Sequence, residues 1–520
     1  MRKIYILGLS LFSSIYTFAQ IDTNTIKNLQ EEAWEHSQLE IYGQELMDDI
    51  GPRLIGSPQY AAANNWLIEK YKDLGIQAYN EEYGTWKGWE RGATEAHLTY
   101  PRYQQLHAIQ LAWSPTTPGE KYLEADIVIL PENLDSISFE NWLKTVKNKI
   151  VLISKPEISG RPDYNWQKNA IDGDFDKHLE RKRNNDFLWN TQLNKAGLNF
   201  QNLQQKLEKA GASALVSSSW TGAWGANRIM ATKTTKIPHI DIRLEDYQLL
   251  YRLAKRGKNP KIKIKATSKH LGEVPVHNTI AKIESKENPD EYVMLSAHLD
   301  SWDAGTGATD NGSGTILMLE VMRILKKYYP NPKRSILVGH WGGEEQGLNG
   351  SQAFVEDNKD LMPKISVLFN QDNGTGRINW INALGFLNAY HYFQNWMDYL
   401  PKELREEIKT DFPGNPGPRA SSDYASFLPD NVPAFFLISH GWDYGQYTWH
   451  THLDTYDKLV LDDIKRNAMI IATFVYLACE EEEMFSREKA NLPINPKTGE
   501  RMEWPKERNA ARDSKNYFSK

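Results

Sequence analysis

Four uninterrupted apolar runs in the second half of the chain constrain its fold more than any other feature. They lie at 292–297 (YVMLSA), 335–339 (SILVG), 365–370 (ISVLFN) and 433–438 (PAFFLI). Each has strand length and none alternates with polar residues. A strand that is apolar at nearly every position must be covered on both faces. Helical patterns run from 312 to about 326 and over 461–485. This alternation predicts an α/β fold, a mostly parallel mixed sheet flanked by helices.

The residues that carry chemistry sit where these strands end. Ligands of such sheets gather beyond the carboxyl ends of the strands. His298 follows the first run, Glu344 and Glu345 the second, and Asp372 the third; His450 comes a short loop after the fourth. Asp310 ends a Gly-rich loop just before a helix. His298, Asp310, Glu345, Asp372 and His450 supply two imidazoles and three carboxylates, a set that suits a pair of zinc ions. Glu344 is left over as a general base. A two-metal site beside a free carboxylate is a device for hydrolysis, so the sequence predicts a metallohydrolase.

The local spacing supports this reading. His298 and Asp300 are two apart and share a side of an extended chain. Asp300 is therefore expected to accept a hydrogen bond from the imidazole nitrogen that does not bind metal. The glycines at 305, 307, 312 and 314 let the loop turn back so that Asp310 can rejoin His298. A lone His-x-Asp is common on surfaces; its continuation into GTGATDNGSG is not. Most Glu-Glu pairs are solvated, as the run 480–483 at the end of a helix is expected to be. Glu344-Glu345 differs because glycines and an apolar strand precede it. In Trp449-His450-Thr451-His452, His450 is the expected ligand and His452 a neighbour, with Asp454 and Thr455 holding the loop.

Composition narrows the class. The 520 residues carry a formal charge of −6 and no Lys/Arg stripe, which argues against a nucleic-acid partner. Residues 1–19 read as a cleavable signal peptide, with Arg2 and Lys3 before a short apolar run and a small-x-small ending at Ala19. A secreted or periplasmic protein without a membrane span in the mature chain is expected. The single cysteine, Cys479, lies in a helical run and reads as core. Short strands around one or two helices at 122–266 suggest a small β-rich inserted domain. The expected organisation is then 20–121 and 267–485 for the catalytic domain, 122–266 for the insertion and 486–520 for a charged tail, extended or partly ordered. Residues 163–195 are polar and suggest no role.

These motifs resemble the secreted co-catalytic di-zinc exopeptidases, the family of bacterial leucyl aminopeptidases and carboxypeptidase Q. The stretch His-Leu-Asp-Ser-Trp-Asp at 298–303 is most similar to carboxypeptidase Q. Gly343-Glu344-Glu345, Asp372 and His450-Thr451-x-x-Asp454-Thr455 match in order and spacing, and Ser422-Asp423 with Phe427 resembles a substrate-wall element. The resemblance implies that the insertion is a protease-associated domain. It implies one zinc on His298 and Asp372, another on Glu345 and His450, and Asp310 between them. It implies a peptide as partner, leaves a homodimer open, and points to unblocked dipeptides, with aminopeptidase action on longer peptides as the alternative. A one-zinc glutaminyl cyclase and a ligand-poor receptor ectodomain share the fold but not the complete ligand set. Arg419, Ser421, Tyr444 and Tyr447 flank the fourth strand and are candidates for binding a substrate terminus.

Overall fold

The computed structural model describes residues 21–416 and 421–519. The proposed signal peptide and Arg419 lie outside the described residues. The centre of the catalytic domain is a parallel group of four strands: β3 (Asn288–His298), β4 (Arg334–Trp341), β5 (Ile365–Asn370) and β6 (Ala434–Ser439). They run side by side in the order β6-β5-β3-β4, all parallel. They are the four apolar runs of the sequence. Strand β4 is buried at every position, as a strand covered on both faces must be.

Two long antiparallel strands extend this sheet, β1 (Gln77–Tyr100) and β2 (Lys261–Ile283), with β2 pairing β4. Helices α1 (Thr23–Glu35), α3 (Ser313–Tyr328) and α4 (Leu461–Glu480) pack together against the sheet. Helix α2 (Pro58–Asp73) packs against β1 and β2. Its N-terminus has Ser57 accepting the N–H of Tyr60 and Pro58 at the first helical position, a favourable start on both counts. Residues 313–322 of α3 are buried on every side, because the sheet and two helices enclose them.

Helix α4 ends at Glu480, short of the expected 485. A run of glutamates opposes the negative end of the helix dipole. Arg334 instead caps the terminus, donating to the carbonyls of Ala478, Cys479, Glu481 and Glu482 at 2.6–3.2 Å. Cys479 is buried core, as its helical setting predicts. Among the described residues, no helix is long and apolar enough to cross a membrane.

The insertion differs from its expectation in three ways. It does not begin at 122: its hydrophobic core already includes Ala96, Leu98 and Leu106. It also does not end at 266, because β2 runs unbroken from the insertion into the catalytic sheet, pairing Leu123–Ile129 at one end and β4 at the other. Its composition is also less β-rich than expected. Five helices pack around short strands, and the polar stretch 163–195 forms two of them, Asp163–Asn169 and Asp174–Lys195. The indole of Trp166 stacks on His178, which joins those two helices.

The C-terminal segment is mostly irregular but held. Arg512 donates to Glu356 and Asp357 at 2.8–2.9 Å, and its carbonyl accepts the N–H of Thr85 at 2.9 Å. It ends in a short helix, Ser514–Ser519.

Candidate metal centre

Each predicted ligand comes from a strand end or the loop behind it. His298 is the last residue of β3. After β4 the chain turns sharply at Gly342-Gly343. Gly343 has φ 68°, and a Cβ on Gly342 would run into the Tyr60 hydroxyl, so this turn requires glycine. Glu344 and Glu345 follow directly. The carboxylate of Asp300 accepts both of their N–H groups, at 3.2 and 3.3 Å, and so fixes the turn.

Asp300 thus plays a different part from the one expected. The Nδ1 of His298 donates to the backbone carbonyl of Asp300 at 2.9 Å, while the carboxylate stands 3.6 Å away. A carbonyl can only accept, so Nδ1 carries the proton. The other ring nitrogen, Nε2, faces Asp372 Oδ1 at 3.2 Å and Asp310 Oδ1 at 3.5 Å.

Asp310 has its backbone held by Asp454, which the sequence had placed in the His450 loop. The two carboxylate oxygens of Asp454 accept the N–H groups of Thr309 and Asp310 at 2.8 and 3.0 Å. His450 stands in the left-handed region, φ 61°, which is strained for a residue with a side chain. Its carbonyl accepts the N–H of Ile229, so the insertion holds this conformation at 2.9 Å. The ring then places Nε2 at 2.9 Å from Glu345 Oε2 and 3.3 Å from Asp310 Oδ2.

The result is two groups of three that share one residue: His298, Asp310 and Asp372, and Asp310, Glu345 and His450. Within each group the donor atoms lie within 4.8 Å of one another. Asp310 turns one oxygen toward each histidine. Glu344 belongs to neither group, although its position is fixed by the same turn. His452 also stays out, and its Nδ1 lies 3.4 Å from the Asn227 carbonyl of the insertion.

The electrostatics call for cations. Burial pushes the Glu344 and Glu345 carboxyls well up, and the carboxylates around them push further. Burial also raises Asp423, to about 7, and both its oxygens lack hydrogen bonds. Burial works against protonating His298, yet Asp372 and Glu344 outweigh it and hold the imidazole well above its ordinary value. Among the described residues no Lys or Arg pairs with Asp300, Asp310, Glu344, Glu345, Asp372 or Asp423. Buried carboxylates without partners are costly. Asp310 Oδ2 and Glu345 Oε1 are buried without a hydrogen bond. The donor set and these orphaned oxygens fit divalent metal ions such as zinc.

Residues 278–475 match the family model for peptidase family M28. Over those residues the chain is similar to M28 peptidases. The chain is accordingly a metallopeptidase, a hydrolase. It is similar to carboxypeptidase Q of Rattus norvegicus, 25% identical over 91% of this chain and 93% of that protein. A peptidase M28 precursor from Shewanella amazonensis superposes with a TM-score of 0.65 at 24% identity, over 90% of this chain and 98% of that one. A zinc aminopeptidase from Bacillus subtilis shares the fold, with a TM-score of 0.55 at 18% identity, over 87% and 96% of the two chains.

Beside this centre lies Arg53, which the motifs alone did not single out. Arg53 is fully buried and donates to the carbonyls of Leu299, Thr306 and Gly307 at 2.7 Å and Gly51 at 3.2 Å. It clamps both ends of the Gly-rich loop, and burial lowers its guanidinium to about 10. The sequence signal was a lone arginine against Leu54 and Ile55, both fully buried. Tyr444, half-buried, stands close to the Asp310 carboxylate. Of the substrate-binding candidates, Ser421 is exposed. Tyr447 stands against Tyr164 and Trp224 of the insertion.

Proposed function

We propose that the chain is an exported two-zinc exopeptidase that hydrolyses unblocked dipeptides and other short peptides. The observation that carries this reading is the pair of ligand groups sharing Asp310, with Glu344 close by and outside both. His298 and Asp372 would hold one zinc, Glu345 and His450 the other, with Asp310 between them. When bound, the metals lower the pKa of an attacking water toward about 7 and polarise the scissile carbonyl. Glu344 takes a proton from the water as it attacks and delivers it to the leaving amine. Asp300 keeps Glu344 and Glu345 aimed through their backbone N–H groups.

The closed surroundings favour action at a chain end. Arg228 of the insertion lies 4.6 Å over the ring of Trp449 and donates to the Gly445 carbonyl at 2.9 Å. Trp302 packs 6.0 Å from the His450 ring. An enclosed site can bind a charged terminus, because its buried partner is left unpaired by a blocked substrate. Two ligand groups also speak against a one-zinc cyclase. Export rests on residues 1–19, which have the charge and apolar pattern of a signal peptide.

The test is a substrate panel on purified, zinc-loaded protein. Unblocked dipeptides should be cleaved and their N-acetyl forms should be poor substrates. Amidation of the carboxyl end should hurt a dipeptidase and spare an aminopeptidase. Efficient cleavage in the middle of a long peptide blocked at both ends contradicts the exopeptidase reading.

A further inference from the structure

A cleft of about 740 Å³ opens directly beside the metal centre, beginning at Gln346 and Gly347, the residues after Glu345. The insertion forms one side and the C-terminal segment the other. Tyr517 of that segment lines it. Resting on the exopeptidase reading, we infer that this cleft holds the carboxyl-side residue of the substrate and recognises its free α-carboxylate.

Three observations carry this. The first is hydrogen-bonding capacity left open. Gln346 is 8% exposed, and neither atom of its carboxamide has a partner. Gln204 is fully buried; its oxygen accepts from Thr232 and from the N–H of Lys233, while its nitrogen has no partner. Buried amides left unpaired cost about 1–3 kcal/mol each. A carboxamide offers one donor and one acceptor face, the complement of a peptide group. The second is shape and polarity: Phe200 and Met230 present exposed apolar surface to the cleft, suited to an aliphatic side chain.

The third is charge. Among the described residues lining the cleft there is no carboxylate, whereas Lys233 and Arg508 both border it. The Lys233 ammonium gives one donor to the Tyr517 carbonyl at 2.9 Å and has others to spare. Arg508 is exposed and makes no ion pair among the described residues. The metal centre is rich in carboxylates and this cleft is cationic. A peptide that reaches the centre therefore runs with its carboxyl end in the cleft. The C-terminal segment, on this account, is a wall of the substrate site and not a passive tail.

The experiment is calorimetric binding of alanyl-leucine and alanyl-leucinamide to zinc-loaded Glu344→Gln protein, in which the peptide survives. The free acid should bind at least about tenfold more tightly than the amide. Adding Lys233→Met and Arg508→Ala should collapse that ratio toward one without changing amide affinity. Restoring charge with Arg508→Lys should recover part of it. Equal binding of acid and amide, or a ratio untouched by the double substitution in a protein with unchanged melting temperature, overturns the inference. Failure of wild-type protein to cleave either peptide would count against the exopeptidase reading alone, since the binding ratio is read without turnover.

Discussion

The carboxylate of Asp454 accepts the backbone N–H of Asp310 at 3.0 Å, so the residue shared by the two candidate ligand groups is positioned from outside them. Its other oxygen takes the N–H of Thr309 at 2.8 Å, and its carbonyl takes that of Thr306 at 2.8 Å. Burial raises the Asp454 carboxyl to about 7. Asp454→Asn keeps the shape but replaces one acceptor with a donor that faces an N–H. Residues that support ligands in this way are worth about 10–100-fold in metal affinity. Zinc affinity by competition with a chelator should fall by that order, with little change in circular dichroism. An unchanged affinity would remove Asp454 from the account.

Arg53 should be needed for the loop that carries Asp310. Arg53→Met leaves several buried carbonyls without a donor, each worth about 1–3 kcal/mol. The melting temperature should drop and zinc should bind more weakly. Arg53→Lys should rescue little, because an ammonium cannot reproduce the planar fork that reaches Leu299, Thr306 and Gly307 together. Full rescue by lysine would mean that charge alone matters there.

The two adjacent glutamates should separate cleanly. Glu344→Gln should retain metal and lose on the order of 10²–10⁴ in kcat, the usual worth of general acid–base catalysis. Glu345→Gln should lose metal. Metal content and kcat measured on both variants check this, and the opposite pattern would exchange their roles.

His340 gives the protein an acid sensitivity independent of the metals. It is fully buried in β4, with Nε2 2.7 Å from the Tyr71 hydroxyl, and burial lowers its pKa to about 3. The folded state keeps it neutral while the unfolded chain takes up a proton below about 6.5. Stability from this group is therefore complete above about pH 6.5 and is lost as pH falls toward 3, about 2 kcal/mol by pH 5. The drop in melting temperature of metal-free protein from pH 7 to pH 5 should be smaller in His340→Gln than in the parent. Parallel curves would show that His340 does not titrate on unfolding.

The sequence made the centre of this protein legible for a physical reason. Ligand loops of a parallel sheet start at strand ends, and apolar runs such as 365–370 mark those ends without ambiguity. The structure brings His298, Asp310, Glu345, Asp372 and His450 together as that rule requires. What stayed hidden depends on contacts distant in sequence. Arg53 acts on carbonyls about 250 positions away, as its bonds to Leu299 and Gly307 show. The proton of His298 goes to a carbonyl and not to the Asp300 carboxylate, a choice that side-chain spacing cannot express. The limits of the insertion were misplaced because β2 is one continuous strand serving two cores. The tail looked loose because its partners, such as Lys233 for the Tyr517 carbonyl, lie in the insertion.

The central claim is that Asp310 joins two metal sites, and zinc content at full activity tests it most directly. Protein stripped with chelator and titrated with zinc should regain full activity as content approaches two ions per chain, the number of ligand groups in the structure. Full activity at a stable content of one zinc per chain would contradict the account.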